Sequence, residues 1–332
     1  MTHRGHGGDP APVDDSLVSV VIATHDRPEP LARLLRTVVS QTHRDIEVIV
    51  VDDQSSEETL AAYPSLLAGL DDRVKIIDLP AAMSRRAPSI TRNYGIRLAR
   101  GAYVAFCDDD DTWIRDDHLA AAVSAMQSIN ADLHLAEMQT VCDGSVLEAS
   151  YYGKVLPALR RSAEAPGLAR DVVQIPPEAR AAFLNGRTPH ANTIVVRRDM
   201  LIASGLYWER LTFAEDHDMA FRLFDAASRI TFRRTACAAL NVADHPSVAR
   251  SFASDERSIF SIAATLRAST LVNDSRLRSV LRSDRAWRLL ELAETQAQLG
   301  QWRAAREFAA ESFRIRPTRS AGSLWLRSLT RT

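Results

Sequence analysis

The chain has 332 residues, 46% of them hydrophobic and 25% charged, as expected of a globular protein with one large domain and an appendage, or with two domains. A formal net charge of -1 leaves no electrostatic case for nucleic acid or an anionic membrane as the main partner. Cys107, Cys142 and Cys237 lie far apart without a CxxC pair, which argues against a thiolate zinc site and fits a reducing, cytoplasmic compartment.

Residues 1–16 are rich in Gly, Pro, Asp and His and read as a flexible leader rather than a secretory signal. No stretch reaches the roughly 18 apolar residues that a membrane span requires. Residues 17–23 (LVSVVIA) form a short apolar, β-branched run, the pattern of a strand buried on both faces. Pro28 suits the first position of a helix, and Leu31, Leu34, Leu35, Val38 and Val39 follow at helical spacing. Residues 46–51 (IEVIVV) predict a second buried strand running into Asp52 and Asp53. A helix over about 57–67, a strand over 74–77, a helix over 90–99 and a strand over 102–107 continue the alternation. Residues 151–187, with prolines and little periodicity, read as an insertion or loop over the site. Strand character resumes at 193–196, helices are expected at 199–203 and 216–227, and one or two strands at 230–240. Beyond about Arg250 the pattern is helical and Arg-rich, with 15 Arg against 8 Asp and Glu. Solvated helix faces account for this charge more simply than an anionic surface does.

Strands alternating with helices imply right-handed crossovers and a mostly parallel sheet, whose ligands bind beyond the carboxyl ends of the strands. Three polar clusters fall there: residues 24–27, Asp52 with Asp53, and residues 108–111. The turn after the first strand lacks the glycines of a GxGxxG fingerprint, and neither a GxxxxGK[ST] loop nor a GxSxG elbow occurs. Dehydrogenases, ATPases and serine hydrolases are therefore disfavoured. The run Asp108-Asp109-Asp110-Asp111 abuts an apolar strand on one side and Trp113 on the other, so it is held on a rigid element. Four like charges there need a cation, and hard carboxylate oxygens suit Mg²⁺ or Mn²⁺, which also bind diphosphate; a merely solvated acidic face is the competing reading.

Five segments in order (residues 19–24, SVVIAT; 50–55, VVDDQS; 92–96, RNYGI; the 108–111 acids; 214–218, AEDHD) resemble the landmarks of family 2 glycosyltransferases over about residues 17–245. The resemblance implies the GT-A nucleotide-sugar fold over residues 17–249, followed by an all-α extension over 250–332. It also implies an inverting hexosyl or related transfer from a nucleotide-diphosphate sugar to an acceptor hydroxyl on a glycan, lipid-linked or small molecule. Thr24, Asp26 and Arg27 would line the nucleoside pocket, and Asp52 or Asp53 would bond the base or ribose. Arg92 would face the nucleotide. Asp108 and Asp110 match the outer acids of the DxD motif, with Asp108 near the ribose and Asp110 the foremost metal contact. Asp109 and Asp111 are the ambiguous neighbours, Asp109 being grouped with the donor contacts. The general base falls at Glu215 or Asp216, with Asp216 favoured; either would equally cap the helix that follows. His245 is a candidate metal or diphosphate contact, and His190 and His217 are candidates for touching the acceptor. Trp113 reads equally as core or as a sugar platform.

In the tail, Ala293, Gly300, Trp302, Ala305 and Pro317 are spaced like one tetratricopeptide helix pair, too few for a solenoid. A helical hairpin packed on the catalytic domain or on a second copy is the simpler reading. Two rival functions remain. A sugar nucleotidyltransferase should carry a basic, glycine-rich first loop, which residues 25–28 do not supply. A non-catalytic nucleotide-binding scaffold with a partner-binding tail should have lost its acids, which are intact.

Overall fold

Strand β1 (Val18–Thr24) lies inside the sheet, parallel to β2 (Ile46–Asp52) on one side and to β4 (Tyr103–Phe106) on the other. Its side chains alternate between two cores. Val18, Val20 and Ile22 face one side and Val21 the other, and β2 divides in the same way into Val48 and Val50 against Ile49 and Val51. Burial on both faces is why these runs are continuously apolar instead of alternating. The structure is a computed structural model and describes residues 15–66, 68–84, 87–159, 167–242 and 252–331.

The described strands form one sheet in the order β3-β2-β1-β4-β9-β6-β10-β5. β3 (Val74–Asp78), β2, β1 and β4 run parallel; β9 (Ile194–Arg197) then runs antiparallel between β4 and β6 (Leu133–Cys142). β6 is parallel to β10 (Ile230–Asn241). A register shift between Arg233 and Ala238 separates the part of β10 that pairs with β8 (Val172–Ile175) from the part that pairs with β5 (Thr112–Trp113). The hairpin strand β7 (Ser145–Glu148) pairs with β6.

One face is covered by Leu31, Leu34, Leu35 and Val38 of α1 (Pro28–Val39), by Tyr63 of α2 (Glu57–Leu66), and by Leu119 and Met126 of α4 (His118–Ser128). The opposite face receives α3 (Pro88–Leu98), α5 (Pro177–Gly186), α6 (Arg198–Ala203) and α7 (Glu215–Ala226). Gly95 of α3 permits the closest approach. A Cβ there would lie 2.6 Å from Val21 Cγ1 and 3.3 Å from Val51 Cγ2, so the helix can rest on β1 and β2 only without a side chain at that point.

Two stretches differ from the sequence expectation or add to it. Residues 151–187 are not simply a loop: they contain a 3-10 turn (Leu156–Leu159), β8 and α5. The prolines that suggested irregularity are punctuation, since Pro176 caps α5 and Pro177 opens it. Residues 114–150, to which the sequence reading assigned no element, supply α4, β6 and β7.

The tail consists of α8 (Ser254–Leu271), α9 (Ser275–Gln298), α10 (Trp302–Ile315) and α11 (Arg319–Ser328). Ala268, Val272, Leu277 and Leu281 belong to the same core as the sheet, whereas Ala293, Ala309 and Leu324 form a small separate one. An ionic clamp fixes the join. Asp218, fully buried on α7, accepts from Arg222 Nη2 at 2.7 Å and from Arg267 of α8.

Candidate active site

The four aspartates after β4 are spread over different partners. Asp108 Oδ1 accepts from Arg92 Nη2 at 2.6 Å. Asp109 is buried and accepts from Thr24 Oγ1 and Arg27 Nη1, both at 2.8 Å. Asp110 Oδ2 accepts from the same Arg27 nitrogen at 2.7 Å. Asp111 accepts from Asn192 Nδ2 at 2.5 Å and from the Asn241 backbone N–H at 2.6 Å. Asn192 returns a contact by accepting from the Asp108 N–H at 2.8 Å, and its carbonyl receives the Trp113 indole N–H at 3.1 Å. Trp113 is therefore core, 3% exposed, and not a platform.

Electrostatics follows the partners. Burial raises Asp108, but Arg92 and His190 outweigh it and hold that carboxyl below the usual range. Burial pushes Asp109 up to about 6 against the pull of Arg27. Burial, then the charges of Asp108 and Asp110, lift Asp111 well above a normal carboxylate.

The second acidic centre opens α7. Ala214, just before it, adopts the left-handed conformation (φ 63°), and Glu215 and Asp216 occupy the first turn, where the helix dipole favours negative charge. Arg92 Nη1 donates to Glu215 Oε1 at 2.9 Å and lies 3.6 Å from Asp216 Oδ1. Asp216 Oδ1 itself is buried without a hydrogen-bond partner. Arg92 thus joins both acidic centres while stacking on Tyr207, 5.4 Å from the ring centroid. The next residue, Asn93, pins Tyr207 by exchanging hydrogen bonds of 2.9 Å with its backbone N–H and C=O. Arg92, Asn93 and Gly95 consequently serve three tasks on one helix: charge bridge, loop clamp and close packing.

These groups line one cleft of about 530 Å³, with Arg27, Arg92, Asp108 to Asp111, Glu215 and Asp216 on its wall. Four residues expected at the donor site lie off that wall. Asp52 is occupied by the Tyr63 hydroxyl and the Ser55 N–H. Asp26 (φ 51°) accepts from Ser56 and Thr59 and ties the first loop to the start of α2. Thr24 is spent on Asp109. Asp53 is 4% exposed and keeps Oδ1 unpartnered. His245 lies outside the described residues.

Among the described residues, the donor atoms that converge tightly enough for a cation are those of Asp108, Asp111 and His190, all within 4.8 Å of one another. Two carboxylate oxygens and an imidazole suit a hard to borderline ion such as Mn²⁺, so the donor set fits the expected metal. This grouping differs from the expected emphasis on Asp110, whose Oδ2 instead faces Arg27. Sequence reasoning also passed over Asn192, Tyr151 and, from the tail, Ser261, Asp284 and Arg288, all near or on the cleft. None belongs to a recognisable motif; only the fold brings them there.

Residues 19–169 match the Glycosyl transferase family 2 model. The succinoglycan biosynthesis protein ExoO of Rhizobium meliloti (strain 1021) is 32% identical over 125 residues, which are 37% of this chain and 34% of that protein. WfgD of Escherichia coli, a UDP-Glc:alpha-D-GlcNAc-diphosphoundecaprenol beta-1,3-glucosyltransferase, is 27% identical over 135 residues, 41% of this chain and 51% of its own length. The chain thus spans about half or less of these relatives. Among solved structures, S. aureus TarS 1-349 in complex with UDP-GlcNAc superposes with a TM-score of 0.60 at 17% identity, covering 94% of this chain and 79% of that one. The mannosyltransferase PcManGT from Pyrobaculum calidifontis, in complex with GDP-Man and Mn²⁺, gives 0.58 at 15% identity with the same coverages. At those identities the likeness is one of fold, and the fold is GT-A. The family 2 glycosyltransferase pattern thus runs through residues 19–169 of this chain, on a sheet of GT-A topology.

Proposed function

We propose that the protein moves a sugar from a nucleoside-diphosphate donor to an acceptor hydroxyl with inversion, assisted by Mn²⁺ or Mg²⁺. The observation that carries this reading is the shared guanidinium: Arg92 holds Asp108 of the acid run and Glu215 of the α7 acid pair on one cleft wall. Asp108, Asp111 and His190 would hold the cation, with Asp110 beside them, and the bound ion would offset charge on the departing diphosphate. Arg27 and Arg92 bring positive charge to the same wall for the phosphates.

Asp216 is assigned as general base. Its Oδ1 is free of hydrogen bonds, whereas Glu215 is engaged by Arg92. Asp216 takes the proton of the acceptor hydroxyl as that oxygen attacks the anomeric carbon from the face opposite the leaving group. Such an attack inverts the anomeric configuration. Glu215 positions Arg92 and stays out of the proton transfer. The free, buried thiols of Cys107 and Cys237 support placing this work in a reducing compartment, the cytoplasm.

The test is a panel of UDP-, GDP- and dTDP-sugars assayed for nucleotide release with Mn²⁺ and with EDTA. Metal-dependent release from at least one donor is expected. Release from none, or release unaffected by EDTA, contradicts the reading.

A further inference from the structure

Beside the acid pair, the far wall of the cleft is built from the C-terminal helices. Ser261 of α8 and Asp284 and Arg288 of α9 line the same cavity as Asp216 and His217. Three of these side chains turn polar atoms toward one another without bonding. His217 Nε2 lies 3.5 Å from Asp284 Oδ2, and Asp284 Oδ1 lies 3.8 Å from Arg288 Nε. His217 Nε2, Asp284 Oδ2 and Arg288 Nε are buried and have no hydrogen-bond partner among the described residues. Buried polar groups are nearly always satisfied, so such a cluster on a cleft wall implies a ligand that bonds them.

Each group is nonetheless held in place. His217 Nδ1 is 3.0 Å from Thr188 Oγ1, and the ring packs 4.9 Å from that of Phe221. The Arg288 guanidinium lies 4.4 Å from the Trp287 ring centroid, and its Nη1 donates to Glu291 at 3.1 Å. Asp284 and Arg288 are one helical turn apart, so they present to the same side of α9.

We infer that His217, Asp284 and Arg288 form the acceptor subsite and bind adjacent hydroxyls of a neutral sugar, presenting a third hydroxyl to Asp216. This rests on the proposed transferase reading of the cleft. The ligand class follows from the charges. Asp216 and Asp284 line this part of the cleft, Arg288 Nη1 is already bonded to Glu291 and Arg92 to Asp108 and Glu215, so a phosphate or carboxylate meets carboxylates and no uncommitted cation. A pair of hydroxyls both donates and accepts, and so satisfies a carboxylate, a guanidinium and an imidazole together. Burial holds the imidazole of His217 below its ordinary pKa, leaving it neutral with one N–H to give. The Arg-rich helical tail is then part of the specificity apparatus, because α9 supplies Asp284 and Arg288 to the cleft wall.

The probes are the methyl glycosides of glucose, galactose, mannose and N-acetylglucosamine, with glycerol 1-phosphate as the anionic comparison. Saturation-transfer NMR on the full chain reads binding, and transfer assays read acceptor KM. Wild type binds at least one glycoside in preference to glycerol 1-phosphate. Asp284→Asn and Arg288→Gln raise acceptor KM on the order of 10- to 100-fold, as expected for lost bonds to charged groups. In both variants, nucleotide-sugar affinity by calorimetry and the melting temperature stay at the wild-type value. Unchanged KM in both variants, or preference for glycerol 1-phosphate, overturns the inference. So does donor hydrolysis by wild type without binding of any glycoside. Failure to bind or cleave every nucleotide sugar defeats the transferase reading instead, and glycoside binding by NMR still decides whether these three residues form a sugar site.

Discussion

Asp108, just after β4, and Glu215, at the start of α7, are far apart in the chain, yet they are bound by two nitrogens of one guanidinium, that of Arg92, at 2.6 and 2.9 Å. Arg92 is 6% exposed, so its removal leaves the buried carboxylate of Glu215 and the half-buried one of Asp108 without their counter-charge. Breaking a buried pair in this way destabilises by about 3–5 kcal/mol. Arg92→Ala is expected to lower the urea midpoint accordingly and to weaken donor binding. A midpoint within experimental error of wild type would mean that the bridge is dispensable.

The pH profile should carry the mark of the same cluster. Burial pushes Glu215 up to about 7, with the charge of Asp216 adding to it and Arg92 opposing. Burial also raises Asp216, against Arg92 and with Asp108 adding. A general base works ionised, so with Asp216 raised by burial kcat/KM falls as pH drops, by about tenfold per unit, on an acid limb that lies above the ordinary aspartate range. Arg92→Gln removes the charge that favours ionisation, and the acid limb then moves to higher pH. A profile in saturating Mn²⁺ with no acid limb above the ordinary aspartate range would show that no raised carboxyl takes part.

Metal dependence divides the acid run. EDTA is expected to abolish turnover and Mn²⁺ to restore it. His190→Ala and Asp108→Asn each lose a converging donor atom, and metal affinity should fall on the order of 10- to 100-fold or more. Asp109→Asn, at a carboxyl engaged by Thr24 and Arg27, should change it less. Manganese titration followed by electron paramagnetic resonance reads all three. Equal losses would show that the run acts as a diffuse charge and not as a built site.

Packing supplies a prediction remote from chemistry. Gly95→Ala drives a methyl into Val21 and Val51 at the centre of the sheet. Overpacking of this kind costs about 1–3 kcal/mol. Thermal unfolding should show the loss, and donor affinity should change only in so far as α3 shifts and carries Arg92 with it.

The sequence revealed most where a side chain's surroundings are local. β1, β2 and β4 are apolar on both faces, and their runs stood out for that reason. β10 was visible as one or two strands over 230–240, whereas β6 was not read. β6 carries His134, Glu137 and Thr140 among its apolar residues, and the bond of His134 to Thr231 of β10, like that of Arg233 to Asp171, depends on partners that no local pattern reveals. The acid run and the α7 acid pair were visible as charge at element ends. That Arg92 joins them, that Asn192 orders Asp108 and Asp111, and that Asp284 reaches the cleft from the tail depend on tertiary placement alone. Asp52 and Asp26 looked like ligand contacts because they are acids after buried strands. In the fold their oxygens are occupied by Tyr63, Ser55, Ser56 and Thr59, and they order the loops around the cleft.

The most direct test of the whole account is a calorimetric titration of Asp216→Asn with the working nucleotide sugar in Mn²⁺, followed by turnover of the same sample. Donor affinity equal to wild type, with turnover reduced on the order of 10²- to 10⁴-fold, is the predicted result for a residue that only moves the acceptor's proton. Wild-type turnover by Asp216→Asn would contradict the account and remove the base from this position.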